Sequence, residues 1–198
     1  MQKKKVVKKA KTIYALKITL RYCKPQIWRR VFVDANTKLP DLHKIIQTVM
    51  GWTNTHLHEF RIYNDVYCEP DEEIYHEYFD YTKVRLSDLV RRTGFKFYYD
   101  YDFGDGWEHE IKIEKIFTYD GDMKFPVCID GKRRCPPEDC GGPWGYNDIL
   151  KIIKDPEHKE YEEWMTWLGD YFDPDEFSAE DKNELLRSKN YGCIMLFA

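Results

Sequence analysis

The sequence predicts an α+β fold: a mixed or antiparallel sheet with a C-terminal helical cluster. Strand-like segments dominate residues 12–130, and helical patterns follow one another from 145 to 190. The opening order reads β-β-α-β-β, which is compatible with a β-grasp-like sheet. The composition also supports a large core, with 16% aromatic residues, including 15 Tyr and 6 Trp, in 198 residues. A chain of this length removes roughly 70% of its unfolded surface from water without staples. Residues 12–198 are therefore read as one domain, with helices over 145–190, behind a disordered basic tail at 1–11.

Residues 12–20 alternate apolar and polar side chains imperfectly, as in a strand, and residues 27–34 (IWRRVFVD) read as a second strand after a turn at Pro25. The two segments read as a hairpin. Leu39-Pro40-Asp41 opens a helix, because the N–H that Pro lacks would be unpaired in the first turn anyway. Leu42, Ile45, Ile46, Val49 and Met50 form its apolar face, and Gly51 stands where a left-handed C-cap belongs. His43 falls on the polar face and is expected to be solvated.

Residues 56–68 read as strand, with Asn64-Asp65 turning a short hairpin inside it. Residues 69–81 are acidic and Tyr-rich, an irregular loop. Residues 86–91 read as a short helical turn started by Ser87. The clearest hairpin joins residues 95–103 to 107–117 at Gly104-Asp105-Gly106, and residues 125–130 add a strand. Tyr146, Ile149, Leu150 and Ile153 mark a helix that stops before Pro156. Tyr161, Trp164, Met165 and Leu168 mark another, ending at Gly169. Ser178 and Asp181 cap a last one through Leu185 and Leu186.

The net charge is -4, but Lys3, Lys4, Lys5, Lys8, Lys9 and Lys11 crowd the start, and removing those six charges leaves -10. A basic tail can hold nucleic acid by releasing counterions. No aromatic residues interleave with these lysines, however, and an acidic body repels phosphate. The tail is read as solubilising. No apolar run approaches the roughly 18 residues of a membrane span, and the charged start lacks a signal peptide's apolar stretch. Cys23, Cys68, Cys128, Cys135, Cys140 and Cys193 are therefore expected to be reduced, in the cytoplasm.

The densest chemical signal is residues 98–110, YYDYDFGDGWEHE. Pleating puts Tyr99, Tyr101 and Phe103 on one face and Tyr98, Asp100 and Asp102 on the other. Acids on one face repel unless a cation covers them, and an Arg or Lys does this as well as a metal. An EF-hand is excluded, because counting from Asp100 puts Gly104 at the fifth position, Asp105 at the sixth and Ile111 at the twelfth. Cys135 and Cys140 have a spacing that zinc allows, with Cys128, His109, His56 and His58 as further ligands. The prolines and glycines around them equally suit a rigid loop burying two small apolar thiols. No cofactor is expected; zinc on Cys135, Cys140 and His109 is the alternative. His56-Leu57-His58 reads as two imidazoles on one strand face. Cys135 or Cys140 with His109 is the one nucleophile–base pairing worth naming. Gly141-Gly142-Pro143-Trp144-Gly145 could cradle an anion before its helix, but Pro143 removes a donor and no Lys, Ser or Thr follows. Trp107 and Trp144, beside Gly-rich turns, are expected to be partly exposed; most other Trp side chains should be core.

Three stretches, residues 24–60, 99–116 and 135–150 (CPPEDCGGPWGYNDIL), followed by WLGDYFDPDEFS at 167–178, resemble in order and spacing the plasmid Ri open-reading-frame-three-like family. The resemblance runs over residues 13–177. It implies a compact α+β domain found on plasmids, insertion elements and chromosomes, and it implies no activity. Members also carry a transposon label of the TnpR resolvase type. A serine resolvase needs a nucleophilic Ser with supporting arginines, and two of the three serines (Ser87, Ser178 and Ser188) suit helix caps.

The functional expectation is a mobile-element-associated, non-enzymatic binding module. Its groove would lie between residues 98–110 and 135–144, using Tyr98, Asp100, Asp102, Asp105, Trp107, His109 and Trp144. Its acids and aromatic rings suit a basic peptide, a protein or a small cation. The alternatives are a metal-dependent, hydrolase-like enzyme and a DNA accessory protein acting through the lysine tail.

Overall fold

The computed structural model describes residues 10–71, 77–169 and 171–194. Strands β1 (Lys11–Leu20) and β2 (Ile27–Asp34) precede helix α1 (Leu39–Met50). Strands β3 (His58–Ile62), β4 (Asp65–Cys68) and β5 (Phe79–Asp80) follow, then the short helix α2 (Leu86–Leu89). The hairpin of β6 (Lys96–Tyr101) and β7 (Trp107–Tyr119) leads to β8 (Val127–Lys132). Helices α3 (Gly142–Ile152), α4 (Tyr161–Leu168) and α5 (Ala179–Leu186) and a 3-10 turn at Lys189–Gly192 complete the order. The strands form one sheet, ordered β5-β4-β3-β6-β7-β1-β2-β8. Neighbours are antiparallel except β4 and β5. This is the α+β class with helices gathered at the C-terminal end, and β1 lies in the sheet interior between β2 and β7.

Alternation along the strands explains the core. Leu16, Ile18 and Leu20 of β1, Val31 and Val33 of β2, and Phe97, Tyr99 and Tyr101 of β6 are buried in one cluster with Leu42, Ile45, Ile46 and Val49 of α1. Their neighbours Lys17, Arg30, Tyr98 and Asp100 stay partly exposed, as one-sided packing of an antiparallel sheet requires. Gly51 closes α1 at φ 104°, its N–H donating to the Gln47 carbonyl at 2.7 Å. Arg29 is the buried exception on β2, where its Nε donates to the Val49 carbonyl at 2.7 Å. That places a cation at the carbonyl end of α1, where the helix dipole favours it.

Several expectations shift. His43 is buried, not solvated. Tyr99 Oη accepts from Gln47 Nε2 at 2.9 Å and so donates its proton to His43 Nδ1 at 2.8 Å. His43 Nε2 then donates to Asn54 Oδ1 at 2.8 Å, and its ring stacks on His58 at 3.5 Å. Burial takes the His43 pKa down to about 3 and keeps the imidazole neutral. The reason is tertiary: residues 52–58 cover the flank of α1 that its own periodicity marks as polar. Helix α2 starts one residue before Ser87, capped by Asp88 Oδ2 accepting from Arg85 N at 3.0 Å. Within the 69–81 loop, Phe79 and Asp80 pair with β4. Helix α3 begins in the glycine run, before Tyr146. Lys11, counted with the basic tail, opens β1 and pairs with Asp34 at 3.6 Å. Lys3, Lys4, Lys5, Lys8 and Lys9 lie outside the described residues.

Candidate functional site

The hairpin tip and the Cys135–Cys140 loop meet. A Cβ on Gly142 would stand 2.1 Å from the Asp105 carbonyl oxygen, so only glycine lets these backbones touch. Residues 52–56 complete the junction. Trp52 Nε1 donates to the Pro136 carbonyl at 3.0 Å, and Thr53 N to Glu138 Oε2 at 3.1 Å. The Tyr101 hydroxyl accepts from Thr55 N at 3.0 Å and donates to Glu138. The glycine run thus serves close packing.

The predicted site residues separate into four places. Trp107 and His109 belong to the core with Trp52, Tyr99 and Tyr101. Trp107, expected to be partly exposed, is fully buried, because the turn ends at Gly106 and Trp107 opens β7 on its inner face. His109 Nδ1 donates to the Tyr99 carbonyl at 3.1 Å, and burial lowers its pKa to about 4. On the opposite face Tyr98 and Asp100 sit in a charge network. Arg61 reaches both Asp100 and Glu108, Arg21 reaches Glu108, and both guanidinium groups lie over the Tyr98 ring. The hydrogen bonds and charge of Asp100, then of Glu108, raise the Arg61 pKa. The acids on this face therefore do have covering cations, and these are arginines. Trp144 is exposed on α3, with its ring stacked beside Tyr22 at 6.2 Å.

Asp102 and Asp105 form the fourth place, the tip itself. Asp102 holds φ at 55°, and its Oδ1 accepts from Gly104 N at 3.0 Å and Asp105 N at 3.3 Å. Its Oδ2 lies 3.7 Å from His56 Nε2, which lies 3.6 Å from Asp139 Oδ1. Among the described residues this is the one group of three His, Cys, Asp or Glu ligand atoms within 4.8 Å of one another. Cys135, Cys140 and His109 do not form such a group. All six cysteines are free and buried, and burial raises the Cys140 pKa to about 12 and the Cys135 pKa further. His56 and His58 do not share a strand face, because β3 begins only at His58, whose Nε2 meets the Tyr81 hydroxyl at 2.8 Å. His56 lines a cavity of about 630 Å³ together with Asn54, His43, His58 and Tyr81.

Sequence reasoning missed Asp139, Glu138 and Arg61. Glu138 and Asp139 fall between two cysteines, where no local pattern marks them. Arg61 sits opposite Tyr98 in the β3–β6 register, a pairing that no local pattern reveals.

Fold and junction together define a compact α+β domain on an eight-stranded sheet, with an acidic hairpin tip braced by a Cys-Pro-Pro-Glu-Asp-Cys loop. The chain belongs to the plasmid pRiA4b ORF-3-like protein family, whose model matches residues 12–181. It is 43% identical over 159 residues to the uncharacterized protein y4hQ of Sinorhizobium fredii (strain NBRC 101917 / NGR234), covering 80% of this chain and 81% of that one. It also resembles the crystal structure of a protein of unknown function, MM3350 from Methanosarcina mazei Go1. The TM-score is 0.80 at 40% identity, over 86% of this chain and 97% of that one. Among the described residues, no helix is long and apolar enough to cross a membrane.

Proposed function

We propose that this chain is a binding module that captures a cationic ligand at the junction of residues 52–56, 102–106 and 136–142. One observation carries the reading. Asp102 and Asp139 converge with no Lys or Arg partner among the described residues, whereas the acids along the two strands of the hairpin have one. Asp100 and Glu108 pair with Arg61, Glu110 with Lys96 at 2.9 Å, and Glu114 with Arg30 at 2.6 Å. Carboxylates left without a cation attract one from solution, and a buried carboxylate does so in a lower dielectric than water. Asp105 Oδ2, buried without a partner, adds to the negative field at the tip. The exposed Trp144 beside Tyr22 offers an aromatic surface on the α3 side, suited to the arms of Lys or Arg in a basic peptide.

The test is fluorescence anisotropy of a labelled oligo-lysine peptide on the full chain, at low and moderate salt. Asp102→Asn with Asp139→Asn should lower affinity at least tenfold, and Trp144→Ala by less. An acidic peptide should not bind. Equal binding by the double variant, or none by the parent chain, would sink the reading.

A further inference from the structure

We infer that His56, Asp102 and Asp139 form a binding site for one divalent transition-metal ion, with coordination positions left open toward solvent. The inference rests on the cationic-ligand reading and names the cation.

Distance comes first. His56 Nε2 stands 3.7 Å from Asp102 Oδ2 and 3.6 Å from Asp139 Oδ1. That is too long for a hydrogen bond, which needs about 2.7–3.2 Å. It suits two ligands of a shared ion. Atoms each about 2.1 Å from a metal stand roughly 3.4–3.6 Å apart at tetrahedral to trigonal angles.

The second observation concerns unmet polar groups. His56 Nε2 is shielded from solvent and makes no hydrogen bond. Asp102 is 6% exposed. Its Oδ1 serves the two amides of the turn, while Oδ2 has no hydrogen-bond donor among the described residues and faces His56. The unbonded oxygen of a largely buried carboxylate and a shielded, unmatched imidazole nitrogen face each other, and leaving such groups without partners costs free energy. A cation between them removes both penalties and the repulsion between Asp102 and Asp139.

Access and rigidity agree. The Asp139 side chain is 76% exposed, so the site opens to solvent on that side. Asp102 is fixed by its own turn and by its N–H donating to the Leu57 carbonyl at 2.9 Å, which ties the strand end to the residue after His56. One imidazole and two carboxylates favour a borderline or hard divalent ion, such as zinc or manganese, over a soft one. The buried thiols are disfavoured competitors, because burial raises their pKa values and a thiol must ionise to bind metal.

The experiment uses the full chain, stripped with chelator and kept reduced. Zn²⁺ and Mn²⁺ are titrated separately by calorimetry, with electron paramagnetic resonance for Mn²⁺. One ion per chain is expected. Asp102→Asn keeps an oxygen for the turn amides and tolerates the left-handed backbone; it should weaken binding at least tenfold, as should Asp139→Asn and His56→Gln. Asp148→Asn, an exposed acid on α3, and the Cys135→Ser, Cys140→Ser pair should leave affinity unchanged. Absence of saturable binding, binding indifferent to Asp102 and Asp139, or binding lost with the cysteines overturns the inference. Oligo-lysine bound by the metal-free chain and lost in Asp102→Asn, with neither ion taken up, would overturn it while the binding-module reading stands. Failure of both probes would end both.

Discussion

Two acidic places only a few residues apart on the same hairpin behave oppositely. On the outer face, Asp100 and Glu108 face each other across β6 and β7 and share Arg61, with Arg21 on Glu108 as well. At the tip, Asp102 approaches Asp139 with only His56 between them. Both places looked alike in sequence, as carboxylates among aromatic rings. The difference lies in what crosses from neighbouring strands and loops. The outer face has arginines supplied by β3 and by the turn after β1, so its charges balance internally. The tip meets a loop that brings another acid. Balanced charges belong to the architecture; unbalanced ones invite a ligand.

The largest expected effect tests the core beneath both places, which rests on neutral histidines. His43 titrates at about 3 and His109 at about 4 in the folded chain, against about 6.5 unfolded. Below pH 6.5 the unfolded chain therefore binds more protons than the folded one. Stability is complete above that pH and is lost as pH falls toward 4, by about 1.4 kcal/mol per pH unit for each histidine. Urea unfolding across pH 4–7.5 reads the slope, and His109→Gln should flatten it. A flat profile in the parent chain would mean that these imidazoles are solvated.

Next in size, Gly142→Ala attacks the junction alone. The added Cβ meets the Asp105 carbonyl, and the backbone sits at φ 66°. Overpacking and the left-handed conformation together should cost about 3 kcal/mol. Calorimetric melting checks this, and peptide capture should fall along with stability. An unchanged melting temperature would show that the hairpin and loop do not touch.

Charge changes separate the two acidic places most directly. Arg61→Met uncovers Asp100 and Glu108, and we expect a loss of about 1 kcal/mol, limited by the partial exposure of the group. Asp139→Asn should do the reverse, gaining about 0.5 kcal/mol in chelator by relieving repulsion at the tip. Opposite signs from the two charge removals would show that the outer face is balanced and the tip is not. The same sign in both would mean that the two places are electrostatically alike.

Much of the scaffold was legible. The alternation in residues 27–34, the Pro40-to-Gly51 helix and the Ser178 cap depend on contacts within a few residues, and the structure has them where the local chemistry put them. The β6–β7 hairpin was legible for the same reason, and its two faces only as far as Tyr101: the strand ends there, the left-handed Asp102 turns inward instead of joining Tyr98 and Asp100, and Phe103 is exposed instead of packing with Tyr99 and Tyr101. The family was legible in motif order. The candidate site was legible only in part. Asp102, Asp105 and the junction with the Cys135–Cys140 loop were named, but Trp107 and His109 were assigned to a surface and lie in the core.

By itself the sequence determined the local elements, the apolar stripes, the α+β class and the aromatic, acidic character of the hairpin. Those follow from backbone geometry and residue type over short range. Only the tertiary structure decided which acids keep a cation, which histidines are buried and which acid Asp102 meets. These depend on partners dozens of residues away: Arg61 across the β3–β6 register, Asn54 against His43, and Asp139 across the Gly142 contact. Charge balance and burial are sums over everything that surrounds a group, and no stretch of sequence contains its own surroundings.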